Sequence, residues 1–222
     1  MLAFAVAYEV FPLKLALFCL LAGVVPGWSV TRGAKFAPIA LYTQFDQAPS
    51  KFVLQALQDE VGSIMAPTGL RFEWRNLAMA EGHAVSVELA VVTFKGRCDS
   101  SGLKAPGRFE GALGWTHMSD GQILPFTDVS CDRVRDFLGP GLLQFAAEER
   151  DEKYGRALGR VLAHELYHVF ANTMLHGTSG VSKACFNVLD LLTGVLQFQA
   201  KASRMLQTIR ARLLVQSSTA TM

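Results

Sequence analysis

The chain has little of what several common chemistries require. Only 18% of its 222 residues are charged and the net charge is +2. No basic stripe interleaved with aromatics appears, so nucleic acid is not an expected partner. There is no glycine-rich phosphate loop and no Ser-His-Asp arrangement, which leaves nucleotide binding and serine-hydrolase chemistry without a signature. The four cysteines form no C-x-x-C pair, which argues against a structural zinc knuckle. Glutamate is absent after Glu165, and beyond His168 the remaining residues of metal-ligand type are His176, Cys185 and Asp190. What the chain does have is apolar mass: half its residues are hydrophobic, enough for a sizeable core.

The most informative stretch is 161–171, where His164, Glu165 and His168 fit H-E-x-x-H. Positions four apart on a helix lie one turn above each other, so both imidazoles can reach one metal ion. Glu165 stands where its carboxylate can meet a water held at that metal. Leu158, Val161, Leu162, Leu166, Val169 and Phe170 surround the motif with apolar positions, so the helix should be largely buried. The competing interpretation is a satisfied structural histidine pair, but buried polar groups need partners. A metal and its water would serve all three residues. Zinc takes nitrogen or sulfur ligands in a tetrahedron and, in catalytic sites, keeps one position for water, so a third protein ligand is needed. With no later glutamate, His176 is the expected third ligand: Asn172 can adopt the left-handed conformation that ends a helix and lets the chain return. Asp190 reads as a helix-surface charge and Cys185 as a small buried residue.

The stretch resembles the zincin metallopeptidases and, within them, the metzincin-type site in which a third histidine follows the H-E-x-x-H helix after a turn. It departs from H-E-x-x-H-x-x-G-x-x-H: Asn172 and His176 lie farther along, Met174 occupies the usual ligand position, and no Met-turn follows. The segment from Ala157 to about Ala184 is also similar to a group of bacterial H-E-x-x-H proteins, many of them acidobacterial, with a delayed histidine and a small-residue turn. The resemblance implies a zinc-dependent peptidase, an endopeptidase acting on peptide or protein substrates. Zn2+ would be held by His164, His168 and His176, and Glu165 would act as general base on the zinc-bound water. It also implies that residues 112–117 form the edge strand along the cleft. The alternative is an exported zincin-like domain that binds zinc or a protein without turnover.

Residues 1–29 read as a signal peptide or N-terminal anchor. Lys14 precedes an apolar run over 15–25, of signal-core length and short for a spanning helix, and a break follows at 26–29. Cleavage after Ser29 would export the remainder to the periplasm or outside the cell; membrane contact is expected only if the segment is retained. In an oxidising compartment Cys98 and Cys131, each placed in a candidate strand, are the preferred disulfide pair.

The rest, 30–222, reads as one monomeric domain of α+β class. Strands are expected over 38–45, 70–75 and 85–94, with a helix over 51–65 capped by Ser50. A hairpin joins 112–117 to 123–130 through Asp120-Gly121, with Pro125 suited to an edge. Asp132 to Gln144 leads toward the long helix, with a break at 139–141, and 148–153 is a solvated charge run before the H-E-x-x-H helix. Helices at 188–192 and 206–214 complete a helical C-terminal part. Together these give a mixed twisted sheet packed on a helix and on the H-E-x-x-H helix, the zincin-like arrangement. His117 reads as an exposed structural histidine, with a further catalytic group as the alternative.

Overall fold

The computed structural model describes residues 38–80, 88–103 and 111–219, with side chains to 211; the expected leader over 1–29 lies outside them. Five strands, β1 (Ile39–Gln47), β2 (Phe72–Asn76), β3 (Leu89–Arg97), β4 (Gly114–Ser119) and β5 (Gln122–Ser130), form one sheet in the order β2-β1-β3-β5-β4. The first four neighbours in that order run parallel, and β4 pairs antiparallel with β5 as an edge strand. The class is α+β with a mixed sheet, as expected. Asp120 and Gly121, both at positive φ (49° and 74°), close the β4–β5 hairpin, a turn these two residues tolerate.

Alternation sorts each strand into two faces. In β3 the buried residues are Ala90, Val92 and Phe94, and Leu41 of β1 and Val129 of β5 join them at full burial. Helices α1 (Lys51–Met65) and α3 (Ala147–Ala171) pack with this core. Ser50 caps α1 by accepting from the Val53 amide, and Val53, Leu57, Val61 and Ile64 form its inward stripe. The α1–α3 approach is set by glycine. A Cβ on Gly159 would stand 2.8 Å from the Leu57 carbonyl oxygen, and one on Gly155 would strike the Val53 carbonyl. Only residues without side chains allow the two backbones this close.

Three expectations near α3 need correction. Cys131 is not in a strand but opens α2 (Cys131–Leu142), whose first turn is capped by Ser130. The 139–141 segment does not break the chain either: Pro140 sits in the last turn of α2, where little helix remains to be disrupted. The charge run at 148–153 belongs to α3 itself, its acids enriched at the positive end of the helix dipole. Within that run Asp151 accepts from Ser50 and Ser100, at 2.7 and 2.6 Å. Pro125 lies in β5, an interior strand. The β3 pairing begins only at Phe126 and the β4 pairing is irregular between Thr116 and Met118, so its missing N–H is not needed there.

The Cys98–Cys131 disulfide is formed, joining the chain just after β3 to the start of α2. Beyond α3 come α4 (Val188–Leu192) and α5 (Ala200–Thr219). Among the described residues no helix is long and apolar enough to cross a membrane.

Candidate metal and catalytic site

Helix α3 stays buried through its C-terminal half and ends at Asn172, in the left-handed conformation (φ 46°, ψ 53°) expected from its sequence. The reversal brings backbone carbonyls onto the histidines. His168 Nδ1 is 2.7 Å from the Thr173 oxygen and His164 Nδ1 is 2.8 Å from the Val181 oxygen. A carbonyl can only accept, so both rings carry their proton on Nδ1. Burial pushes the pKa of His164 down to about 4, with Val181 opposing and His168 and His176 adding to the fall. Burial also lowers that of His168, against the pull of Thr173. Both rings are therefore neutral near pH 7, and neither Nε2 has a proton to donate.

Those two Nε2 atoms lie 3.0 Å apart. Two imidazole nitrogens this close, each with its partner nitrogen held to a carbonyl, are suited to a shared positive partner. Zn–N bonds of about 2.0–2.1 Å in a tetrahedron place two nitrogens roughly 3.3 Å apart, close to what the rings already offer. His176 completes the group: its ring stacks on that of His164 at 5.2 Å and meets that of His168 edge-on at 4.8 Å. The ligand atoms of His164, His168 and His176 all lie within 4.8 Å of one another. The donor set is thus three imidazoles, two of them locked in the tautomer a metal needs.

Glu165 is 5% exposed. Its Oε2 accepts from Thr116 Oγ1 of β4 at 2.9 Å, and the same hydroxyl lies 3.2 Å from the Glu165 carbonyl oxygen. Burial raises the carboxyl to about 7, with Thr116 acting against the rise. Gly114, two residues earlier, leaves room for this: a Cβ there would come within 3.0 Å of Glu165 Oε1. A carboxyl with its pKa near neutrality, beside three histidines, has the properties of a general base.

All of these groups line one cavity of about 500 Å³. Its other described walls are largely apolar, from Leu113, Trp115, Phe137, Val161, Met174 and Phe186, and among the described residues no lysine, arginine or aspartate lines it. Cys185 also lines the cavity and is exposed, contrary to the expectation of burial. Asp190 is engaged elsewhere, in the capping box of α4 and with Lys183. His117 is half-exposed and pairs with Asp128 at 3.0 Å, outside this cavity.

Sequence reading did not single out Thr116, which only the β4 register brings over Glu165. Tyr167, which stands beside the motif in sequence, donates its hydroxyl to the Leu175 carbonyl at 3.2 Å and helps hold the turn before His176.

No family model matches the chain, and no curated protein matches it either. Two solved structures resemble it. A zinc-dependent peptidase from Methanocorpusculum labreanum aligns with a TM-score of 0.50 at 11% identity, over 76% of this chain and 99% of that one. Archaemetzincin from Methanopyrus kandleri aligns with a TM-score of 0.47 at 15% identity, over 82% and 99%. The first likeness is one of fold: the mixed sheet and its helices follow the architecture of that protein.

Proposed function

We propose that this chain is a zinc-dependent metallopeptidase that hydrolyses internal bonds of peptide or protein substrates. The observation that carries the reading is the pair of Nε2 atoms 3.0 Å apart, with His176 beside them and a buried carboxyl on the same cavity. His164, His168 and His176 would hold the ion. When bound, zinc supplies Lewis-acid polarisation of the scissile carbonyl and acidifies the attacking water.

The remaining work falls to the chain's own groups. Glu165 accepts a proton from the attacking water as the water oxygen bonds to the carbonyl carbon. It then returns the proton to the leaving nitrogen as the C–N bond breaks. Thr116 holds one carboxylate oxygen and so fixes the direction from which Glu165 works. The outer edge of β4 offers backbone groups to which an extended substrate can add as a further strand.

The Cys98–Cys131 disulfide supports an oxidising location, hence export of the domain behind a leader or anchor over 1–29. The test is metal analysis of the purified protein alongside peptide hydrolysis by wild type and Glu165→Gln. Near one zinc per chain, retained in the variant while hydrolysis disappears, is the expected result. Equal hydrolysis by Glu165→Gln would refute its role. Zinc without turnover would leave a zinc-binding domain of the same fold, and absence of zinc after supply during folding would overturn the metal site.

A further inference from the structure

One turn before His164, on the same face of α3, lies Arg160, a fully buried arginine. Its guanidinium has one carboxylate and three carbonyls around it. Nε donates to Glu60 Oε1 at 2.6 Å, Nη1 to the carbonyls of Asp190 and Thr193 at 2.6 and 2.7 Å, and Nη2 to that of Gly194 at 2.7 Å. These three carbonyls belong to the end of α4 and the turn after it, where helix carbonyls lack partners of their own. A planar fork of five donors can gather them at once; an ammonium cannot. Arg156 adds a bond to the Gly194 carbonyl and takes the other oxygen of Glu60, at 3.2 and 3.1 Å.

The turn fixed in this way is connected to the histidines. The Asp190 carboxylate receives Lys183 Nζ and the Asn187 amide. Lys183 sits at the end of a tight segment, 177–183, in which the Gly177 amide donates to the Ser182 carbonyl at 2.7 Å and Gly177 bridges to Lys183. His176 immediately precedes that segment. Within it, Val181 presents the carbonyl that orients His164 Nδ1. His168, by contrast, takes its orientation from Thr173, next to the helix's own C-cap.

We infer that Arg160, acting through Asp190 and Lys183, is a positioning residue that holds His164 and His176, but not His168, in metal-binding register. The inference rests on the metal reading above and adds to it the device that sets two of the three ligands. It explains why a guanidinium is buried in the core where an apolar side chain would pack as well: the α4 turn has carbonyls to be gathered and a metal site to be kept in shape.

The test measures zinc affinity by chelator competition, and cobalt(II) absorption as a report on ligand number, in full-length Lys183→Met and Arg160→Lys. Val92→Ala in β3 serves as a destabilised control outside the segment. Loss of an outer-shell partner weakens metal binding roughly 10- to 100-fold. A loss of that size is expected in both variants, with a cobalt spectrum altered toward fewer imidazole ligands, while the control keeps wild-type affinity and spectrum. Should Arg160→Lys fail to fold, Lys183→Met, partly exposed and outside the core, decides the matter. Wild-type affinity and spectrum in Lys183→Met, or an equal loss in Val92→Ala, would overturn the inference while leaving the metal site standing. A wild-type chain that binds neither ion would overturn the metal reading, and this inference with it.

Discussion

Replacing Glu165 by Gln should change how stability depends on pH, and by an amount the burial of the site dictates. In chelator the carboxyl has its pKa raised from 4.5 to about 7, chiefly because burial disfavours its charged form. Between those values the folded chain keeps a proton that the unfolded chain has released, so stability falls as pH rises through the interval. At 1.36 kcal/mol per unit, the shift amounts to about 3 kcal/mol. His164 works in the opposite sense: its pKa falls from 6.5 to about 4, so the unfolded chain binds the extra proton and stability rises with pH over that interval. The two contributions largely offset in the wild type, which should show a shallow profile. Gln is neutral, matches the shape and can still accept from Thr116, so it removes only the first contribution. The assay is urea unfolding in EDTA at several pH values from 4.5 to 7.5. The stability of Glu165→Gln relative to wild type should grow by about 3 kcal/mol across that range. A difference constant to within about 0.5 kcal/mol would refute the claim that this carboxyl is desolvated.

Three further expectations are open to direct measurement. The Cys98–Cys131 bond spans a separation of 33 residues. A loop of that length corresponds to about 4 kcal/mol of stabilisation and roughly 8–16 °C in Tm, so thermal melts with and without reductant should differ by that much. Gly159→Ala should destabilise by up to about 2 kcal/mol, since overpacking against the Leu57 carbonyl, about 1–3 kcal/mol, outweighs the gain of about 1 kcal/mol in helix propensity; a more stable variant in urea would show that the helices can separate at no cost. Peptides bearing Leu, Phe or Met beside the scissile bond should exceed Lys or Glu analogues roughly 10- to 100-fold in kcat/KM, the worth of burying one large apolar side chain. A fluorogenic library that favoured charged residues there would show that the apolar walls of the cavity do not select substrate.

The parts of the molecule legible in its sequence are those governed by short-range rules. The α1 boundaries follow from Ser50 and a helical apolar period. The end of α3 follows from Asn172, and the hairpin from Asp120-Gly121. The grouping of His164, His168 and His176 could be anticipated because it needs only one helical turn and one reversal of the chain. What escaped reading depends on register between distant segments. Thr116 meets Glu165 across 49 residues, and Arg160 reaches Gly194 across 34; neither has a local pattern. Cys131 looked like strand because the apolar run of β5 leads into it without a break, yet Ser130 caps a helix at that point. Cys185 was expected inside from its chemistry alone, and it follows instead the exposed course of the segment that carries His176.

The contact of α1 with α3 through Gly155 and Gly159 has a consequence for how the protein can vary. Where side chains set the spacing of two helices, each change of core volume moves one helix relative to the other. Here peptide backbone meets peptide backbone, a stop that does not compress and that no substitution in the surrounding core can lengthen. The level of α3, and of the histidines five and nine residues past Gly159, is thereby referenced to a rigid gauge. Truncations such as Ile64→Val or Val61→Ala can erode stability while leaving the histidines at an unchanged height above the sheet. Drift in this core is thereby separated from the chemistry above it.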